Sequence, residues 1–407
     1  MSPQATGGGT DAYDVTVIAR RVPLPGGATF LDVEAPDLSW VTIRLGAATS
    51  FPEGMSEVGR VALALTDRRI ARAVRGRSVR LSRTPRLGRF EWTVTVAPDQ
   101  AASVARRLHE RLREPVTIAE AEAAAVLATR RLHERCFTAA VDAAVARAAG
   151  RALPSTERPA GRALARSVER RLRALFSEAR AVLAVGGPSE RERRAVAEAL
   201  APVFAPSAPA PPTETRHPAR APDRTGGHPR AIVRIPRGPA NLVAVRLWTD
   251  TDPRTRALLR LAVAHLAERI DVRLATTGPA AVVVIRLRPT ASPPAAFPPA
   301  SLARIQHELA APWSDAAVRA TAERYLGARL VQAALAYEDP TGVAVEALDL
   351  AGSPGGGKAA LDAEAAALLQ ASSDDVAVFA RQALDPARAP GRWVLGYCGP
   401  TTGPDGS

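Results

Sequence analysis

Two short runs alternate between apolar and polar positions as a half-buried strand does: Trp40-Val41-Thr42-Ile43-Arg44-Leu45, and Leu242-Val243-Ala244-Val245-Arg246-Leu247. Aligned on Val-x-apolar-Arg-Leu, they lie 202 residues apart (243 − 41). A second pattern recurs near the end of each half: Val182-Leu183 before Gly187-Pro188, and Val394-Leu395 before Gly399-Pro400, 212 residues apart (394 − 182). Between these markers the apolar period lengthens to that of amphipathic helices. Residues 100–149 predict two or three Ala-rich helices, and 163–179 predict another. Residues 253–269, 298–311, 315–337 and 373–384 do the same in the second half. Asp252-Pro253 and Ser314-Asp315 read as helix starts. Strand, helices, strand, twice over, predicts a tandem duplication of an α+β unit of about 200 residues.

Phe204 to Arg230 breaks the pattern with Ala-Pro-Ser-Ala-Pro-Ala-Pro-Pro and Gly226-Gly227-His228-Pro229. Proline at that density blocks both helix and ladder, so a semi-extended linker is expected. The expected organisation is a first unit over 1–204, a linker over 205–230, a second unit over 231–402 and a tail over 403–407.

At 407 residues the chain is long enough for two cores. No apolar stretch approaches a membrane span, and the first residues carry no secretory pattern, so a cytoplasmic protein without membrane partners is expected. The two cysteines, Cys136 and Cys398, exclude a disulfide-rich scaffold and a cysteine-rich zinc module. The net charge of +13 is almost all arginine, with Lys358 the single lysine, as a GC-rich genome would write it. That weakens any inference from charge to nucleic acid. The charge is concentrated: residues 60–89 hold ten arginines against Asp67 alone. This segment reads as an exposed Arg-rich loop, or as a surface for an acidic partner or phosphate backbone.

Enzymatic motifs are wanting. Gly352-Ser353-Pro354-Gly355-Gly356-Gly357-Lys358-Ala359 approximates a phosphate-binding loop, but Ala359 stands where the magnesium-binding hydroxyl belongs. The six histidines, among them His109 and His133, never pair at zinc-ligand spacing, and there is no Gly-x-Ser-x-Gly elbow.

The order of pieces resembles the pitrilysin/insulinase family of zinc metallopeptidases, which carry an inverted zinc motif on tandem α+β units. Val41 to Gly59 is similar to the family's first strand and its approach to the metal helix. Ala181 to Pro188 with the helix after it is similar to the closing strand and helix. Tyr325 to Pro340, then Ser373 to Arg388 and the last strand, follow the second unit. The resemblance covers most of the chain and implies an α+β fold. It would consist of two homologous mitochondrial-processing-peptidase-like units, each an antiparallel-rich sheet packed with helices, joined by the Pro-rich linker.

The family's chemistry needs His-x-x-Glu-His: two zinc ligands and a base for the metal-bound water. Counted from Gly59, the corresponding positions hold Ala62, Leu65 and Thr66, and the third ligand falls near Arg130. No His-x-x-Glu-His occurs anywhere in the chain. The resemblance therefore implies an inactive paralogue with no catalytic residue and no cofactor of its own, zinc being expected in a partner subunit. The family's second unit supplies an arginine and, seven residues later, a tyrosine to substrate. The matching positions are Arg269, a candidate substrate-binding residue, and Thr276, where the tyrosine is missing. The expected partners are an active pitrilysin-like paralogue and a peptide substrate, as in the leader-processing heterodimers of high-GC bacteria. The alternatives are a standalone peptide-binding or scaffold protein and, less favoured, a nucleic-acid-associated protein using residues 60–89.

Overall fold

A computed structural model describes residues 19–24, 27–48, 57–86, 89–134, 136–150, 159–177, 181–205, 229–235, 239–277, 280–335, 339–350 and 357–400. The proline-rich stretch 206–228, residues 352–356 of the Gly-rich segment and the tail 403–407 lie outside these residues.

The first half forms strands β1 (Ala19–Pro23), β2 (Thr29–Glu34), β3 (Val41–Ala48), β4 (Val79–Arg86), β5 (Arg89–Val96) and β6 (Val182–Gly187). Its helices are α1 (Glu57–Val74), α2 (Pro98–Arg113), α3 (Ile118–Glu134), α4 (Cys136–Ala148), α5 (Gly161–Ser177) and α6 (Glu190–Leu200). The second half has strands β7 (Arg230–Ile235), β8 (Asn241–Trp248), β9 (Val272–Thr277), β10 (Ala280–Leu287) and β11 (Trp393–Pro400). Its helices are α7 (Pro253–Ala267), α8 (Pro299–Ala310), α9 (Asp315–Leu335), α10 (Pro340–Leu350), α11 (Gly357–Gln370) and α12 (Ser373–Ala383). Both expected helix starts are capped by side chains. Asp252 accepts from the Thr255 N–H at 2.9 Å, and Ser314 from the Ala317 N–H at 3.2 Å.

The two sheets share one topology. The first runs β1-β2-β6-β3-β5-β4 and the second β7-β11-β8-β10-β9. Removing β1 leaves the same order, with β2–β6 and β7–β11 parallel and the remaining pairs antiparallel. The architecture is thus α+β and duplicated.

The strand register differs from the one the sequence predicts. In β3, Val41, Ile43, Leu45 and Ala47 enter the helix-packed core; in β8 it is Leu242 and Ala244, with Arg246 and Trp248 on the same side. Arg44 and Arg246 therefore point to opposite faces and are not equivalent, because an odd shift inverts every side chain of a strand. Matching β6 to β11 at the 212-residue spacing pairs Arg44 with Val243, since Ala184 opposes Arg44 and Gly396 opposes Val243. The apolar repeat located the strand, but the Arg-Leu coincidence set its frame wrongly.

Each sheet packs one face against its own helices. In the first half, Leu65 of α1, Leu108 of α2 and Leu172 of α5 close over Ile43, Leu45 and Trp92. A chain of rings from Phe90 through Trp92 and Phe176 to Phe204 joins β5 to the far end of that core. In the second half, Leu259 and Ala262 of α7 and Val376 and Ala380 of α12 do the same over Ala244, Val283 and Leu395.

The other faces are covered by exchange. Helix α4 leaves its own half and lays Ala139, Ala140, Ala143 and Ala144 on Val243 and Val245 of β8, Val282 and Val284 of β10, and Val394 of β11. Helix α10 crosses the other way, placing Ala344 and Val345 on Leu31 and Val33 of β2 and Val182 and Ala184 of β6. The small residues of α4 let its backbone approach closely; a β-carbon at Gly396 would land on the Ala140 carbonyl. The cysteines meet at this contact: Cys136 of α4 and Cys398 of β11, both buried, form a disulfide with Cα atoms 5.6 Å apart. Two cysteines cannot build a disulfide-rich scaffold, but these two form one staple between the halves, which their 262-residue separation concealed.

Candidate functional site

Helix α1 carries the positions where the family resemblance would put zinc ligands. Its apolar stripe, Val61, Ala62, Leu65 and Ile70, faces the core, so these side chains were committed to packing by the helical period itself. Ala62, Leu65 and Thr66 are fully buried, and Ala121, Ala124, Ala125 and Ala128 of α3 join the same core. The Thr66 hydroxyl donates to the Ala62 carbonyl at 2.8 Å, the bond a threonine makes back along its own helix, and so offers nothing outward. Arg130, near the position of the third ligand, lies on the exposed side of α3. The donor set of a zinc site, imidazole and carboxylate around a reachable void, is replaced by methyl groups, a satisfied hydroxyl and a cation. Among the described residues no group of three or more His, Cys, Asp or Glu could hold a metal ion. These residues do not fit zinc, and no step of metal chemistry is derived for this chain.

The polar groups of α1 are structural too. Asp67 accepts from the Trp92 indole N–H at 2.6 Å and pairs with Arg83 at 3.2 Å, tying α1 to β5 and β4. Arg69 is buried and donates to the Glu114 and Pro115 carbonyls, with Glu120 at 3.1 Å. Burial alone would push the Glu120 carboxyl up, but bonds from Arg69 and Thr117, with Arg72 nearby, hold it below the usual range.

The Arg-rich segment is not a loop. Its described residues are most of α1, a turn at Gly76, the edge strand β4 of the first sheet and the first residue of β5. Arg75, Arg77 and Arg80 are exposed and make no ion pair among the described residues. Strand alternation sets Arg80 and Ser82 on the face shared with Thr93 and Thr95 of β5. Beyond them lie Glu91, at 2.7 Å from Arg44 and 2.8 Å from Arg89, and Asp339, the second partner of Arg44. Helix α10 packs its apolar side on β2 and β6, and its N-terminal turn reaches Arg44, which is buried with Glu91, leaving Thr93, Thr95 and Ser82 as the part-exposed face. The result is a polar floor of threonine and serine, flanked by an edge strand with exposed guanidinium groups. An edge strand presents unpaired backbone N–H and C=O groups, so the arrangement can take an extended chain as an added strand and favours acidic side chains beside it. The corresponding face of the second sheet offers no such floor, because α4 covers it as far as β10, where Phe137 receives Arg273 and Arg286 on its ring.

Arg269 lies in the turn between α7 and β9, partly exposed, with Glu308 at 3.8 Å and His265 at 3.3 Å. Thr276 on β9 instead accepts from Arg260, whose guanidinium sits 4.4 Å from the Tyr325 ring centroid and pairs with the buried Glu364. No described hydrogen bond or ion pair joins the two positions. The floor of the first sheet was missed by sequence reasoning. Its residues are scattered over β3, β4 and β5, and only the strand pairing collects them on one face.

No family model matches the chain, and no curated protein matches it. Solved structures do. The chain is similar to the M16 peptidase inactive domain from Pseudomonas fluorescens at 14% identity and TM-score 0.57, covering 95% of this chain and 98% of that one. It is similar to a protease from Helicobacter pylori at 7% identity and TM-score 0.59, covering 94% and 100%. It is also similar to the periplasmic protease PqqL from Escherichia coli at 13% identity and TM-score 0.54. That match covers 98% of this chain, which spans about half (48%) of PqqL.

Proposed function

We propose that this chain, which has the pitrilysin-like fold of the M16 peptidases, is a non-catalytic subunit of a heterodimeric M16-type peptidase. It would pair with a zinc-bearing paralogue and help to form the chamber that holds a peptide. The observation that carries the reading is the pairing of a sealed core at Ala62, Leu65 and Thr66 on one face of the first sheet with a polar floor on its other face and the edge strand β4. Catalytic chemistry has been replaced by packing, while a surface able to hold an extended peptide is kept. The Arg75, Arg77 and Arg80 groups favour an acidic stretch in that peptide, and the zinc and its activated water belong to the partner. Processing of a leader or another peptide is the context this reading expects.

The test is reconstitution. A paralogue with an intact His-x-x-Glu-His motif, sought among the neighbouring genes, is purified with and without this chain, and complex formation and peptide cleavage are measured. A 1:1 complex with raised cleavage supports the proposal. If acidic and neutral extended peptides bind this chain alone, and no paralogue does, the protein is a standalone peptide-binding scaffold. Binding to DNA that falls steeply with salt would assign residues 60–89 to nucleic acid instead.

A further inference from the structure

The disulfide between the halves sits where the fold is held by its smallest side chains. Helix α4 meets the valine face of β8, β10 and β11 through Ala139, Ala140, Ala143 and Ala144. Each alanine buries a single methyl group, where a leucine would bury its whole branched side chain. These contacts are close, as the Ala140 carbonyl against Gly396 shows, but they remove little apolar area from water. The Cys136–Cys398 bond therefore carries more of the fastening of α4 than a disulfide beside a leucine-rich helix would.

The two sulfurs are held unequally. Cys398 lies in β11, which is hydrogen-bonded to β7 on one side and β8 on the other, and it is fully buried. Cys136 is the first residue of α4 and is 2% exposed, so lifting the start of one helix brings its sulfur to solvent. The end of a surface helix opens at a lower free energy than a strand inside a sheet. Breaking the bond strands no polar group there. The Cys136 sulfur lies 3.1 Å from the Cys398 carbonyl oxygen and 3.7 Å from that of Pro239, so a thiol at Cys136 has acceptors within reach. The chain has no third cysteine, so within one molecule the released thiols can re-form this bond and no other.

We propose that Cys136–Cys398 is a reversible redox latch, which a thiol reductant opens to free α4 from the second sheet and an oxidant closes again. In the opening step one thiolate of a dithiol attacks the Cys136 sulfur and displaces the Cys398 thiolate, which takes up a proton. The second thiolate of the reductant then attacks its own sulfur in the mixed disulfide and displaces the Cys136 thiolate, which is protonated in turn. The protein gains two electrons and two protons, and the dithiol leaves as its cyclic disulfide. Fastened, α4 frays only from its C-terminal end; opened, it can leave the valine face as a whole. Helix α10 still crosses in the other direction, so the halves stay attached while this cover is released.

The test uses the full wild-type chain in native buffer, with reduced dithiothreitol to open the bond and oxidised glutathione to close it. Free thiols are counted, and hydrogen exchange is followed by mass spectrometry, before reduction, after it and after re-oxidation. Two thiols should appear without denaturant, and protection of α4 should fall by about tenfold or more once its start is no longer pinned. Protection of β3 and β5 should stay, and re-oxidation should restore α4. Cys398→Ser, which cannot form the bond, should show the lower α4 protection in both buffers. Resistance of the native chain to reduction, α4 protection unchanged by reduction, or loss of protection spreading to β3 and β5 would each overturn the latch. None of these readouts depends on whether the chain assists a peptidase.

Discussion

Cutting the staple between Cys136 and Cys398 measures how much of the fold depends on the exchanged helix α4. The bond closes a loop of 262 residues running from one half into the other. The chain-entropy relation for a loop of that length gives about 5–6 kcal/mol of stabilisation through the unfolded state, an upper value because real unfolded chains keep some structure. Spread over an unfolding entropy of roughly 2 cal/mol/K per residue, that corresponds to about 6 °C in Tm if the whole chain melts as one unit. The shift grows if the second half melts alone. The assay compares wild type with the double variant Cys136→Ala/Cys398→Ala by scanning calorimetry without reductant, and hydrogen exchange reports on α4 in both. The variant should melt several degrees lower, with the first loss of protection in α4, while β3 and β5 keep theirs. Two titratable thiols in the unfolded, unreduced wild type, or a Tm unchanged within 1 °C, would refute the reasoning. The same thiol titration bears on compartment: a persistent disulfide belongs to an oxidising environment and would argue against the cytoplasm. No described helix is long and apolar enough to cross a membrane.

Three further outcomes follow from packing and charge. Gly396→Ala places a β-carbon on the Ala140 carbonyl and 2.8 Å from the Val243 side chain, so it should cost about 1–3 kcal/mol and lower the denaturation midpoint; an unchanged midpoint would mean α4 does not sit this close. Asp339→Asn removes a charge that pairs with the buried Arg44 and caps α10 through the Gly342 N–H, and should cost about 1–3 kcal/mol in urea denaturation. Because Arg44 holds the Asp339 carboxyl below its ordinary value, that contribution is present at neutral pH and lost as pH falls through the carboxylate range, so wild type and variant should converge in acid. Burial pushes Asp142 up to about 7, only partly offset by Arg60. The folded chain thus keeps a proton that the unfolded chain gives up, and this group's contribution to stability falls as pH rises from about 4 to 7. Asp142→Asn should gain in Tm over wild type across that window and then hold a constant margin, whereas parallel profiles would show the carboxyl to be solvated.

The sequence carried the architecture further than the site. Alternation at 41–47 and 242–247, helical periods, and the caps Asp252 and Ser314 are local signals, and the structure returns each near its predicted place. The duplication was legible in the order of these pieces. Its register was not, because Arg44 and Arg246 are alike as letters yet face opposite sides of their sheets. The crossing of α4 and α10 was also hidden: an Ala-rich helix such as 136–148 has the same pattern whichever sheet it covers. The absence of His-x-x-Glu-His could be read from the sequence, but that Ala62, Leu65 and Thr66 are sealed in the core is a fact of packing. The polar floor depends on strand pairing that brings together residues of β3, β4 and β5, so no linear pattern announces it.

The central proposal, that this chain serves a peptidase without being one, is tested most directly by zinc content and peptide cleavage of the purified chain, alone and mixed with a candidate zinc-bearing paralogue. The account predicts less than about a tenth of an equivalent of bound zinc and no cleavage alone, with cleavage appearing or rising on mixing, since no described cluster can hold the metal. One equivalent of zinc and cleavage by the isolated chain would contradict it.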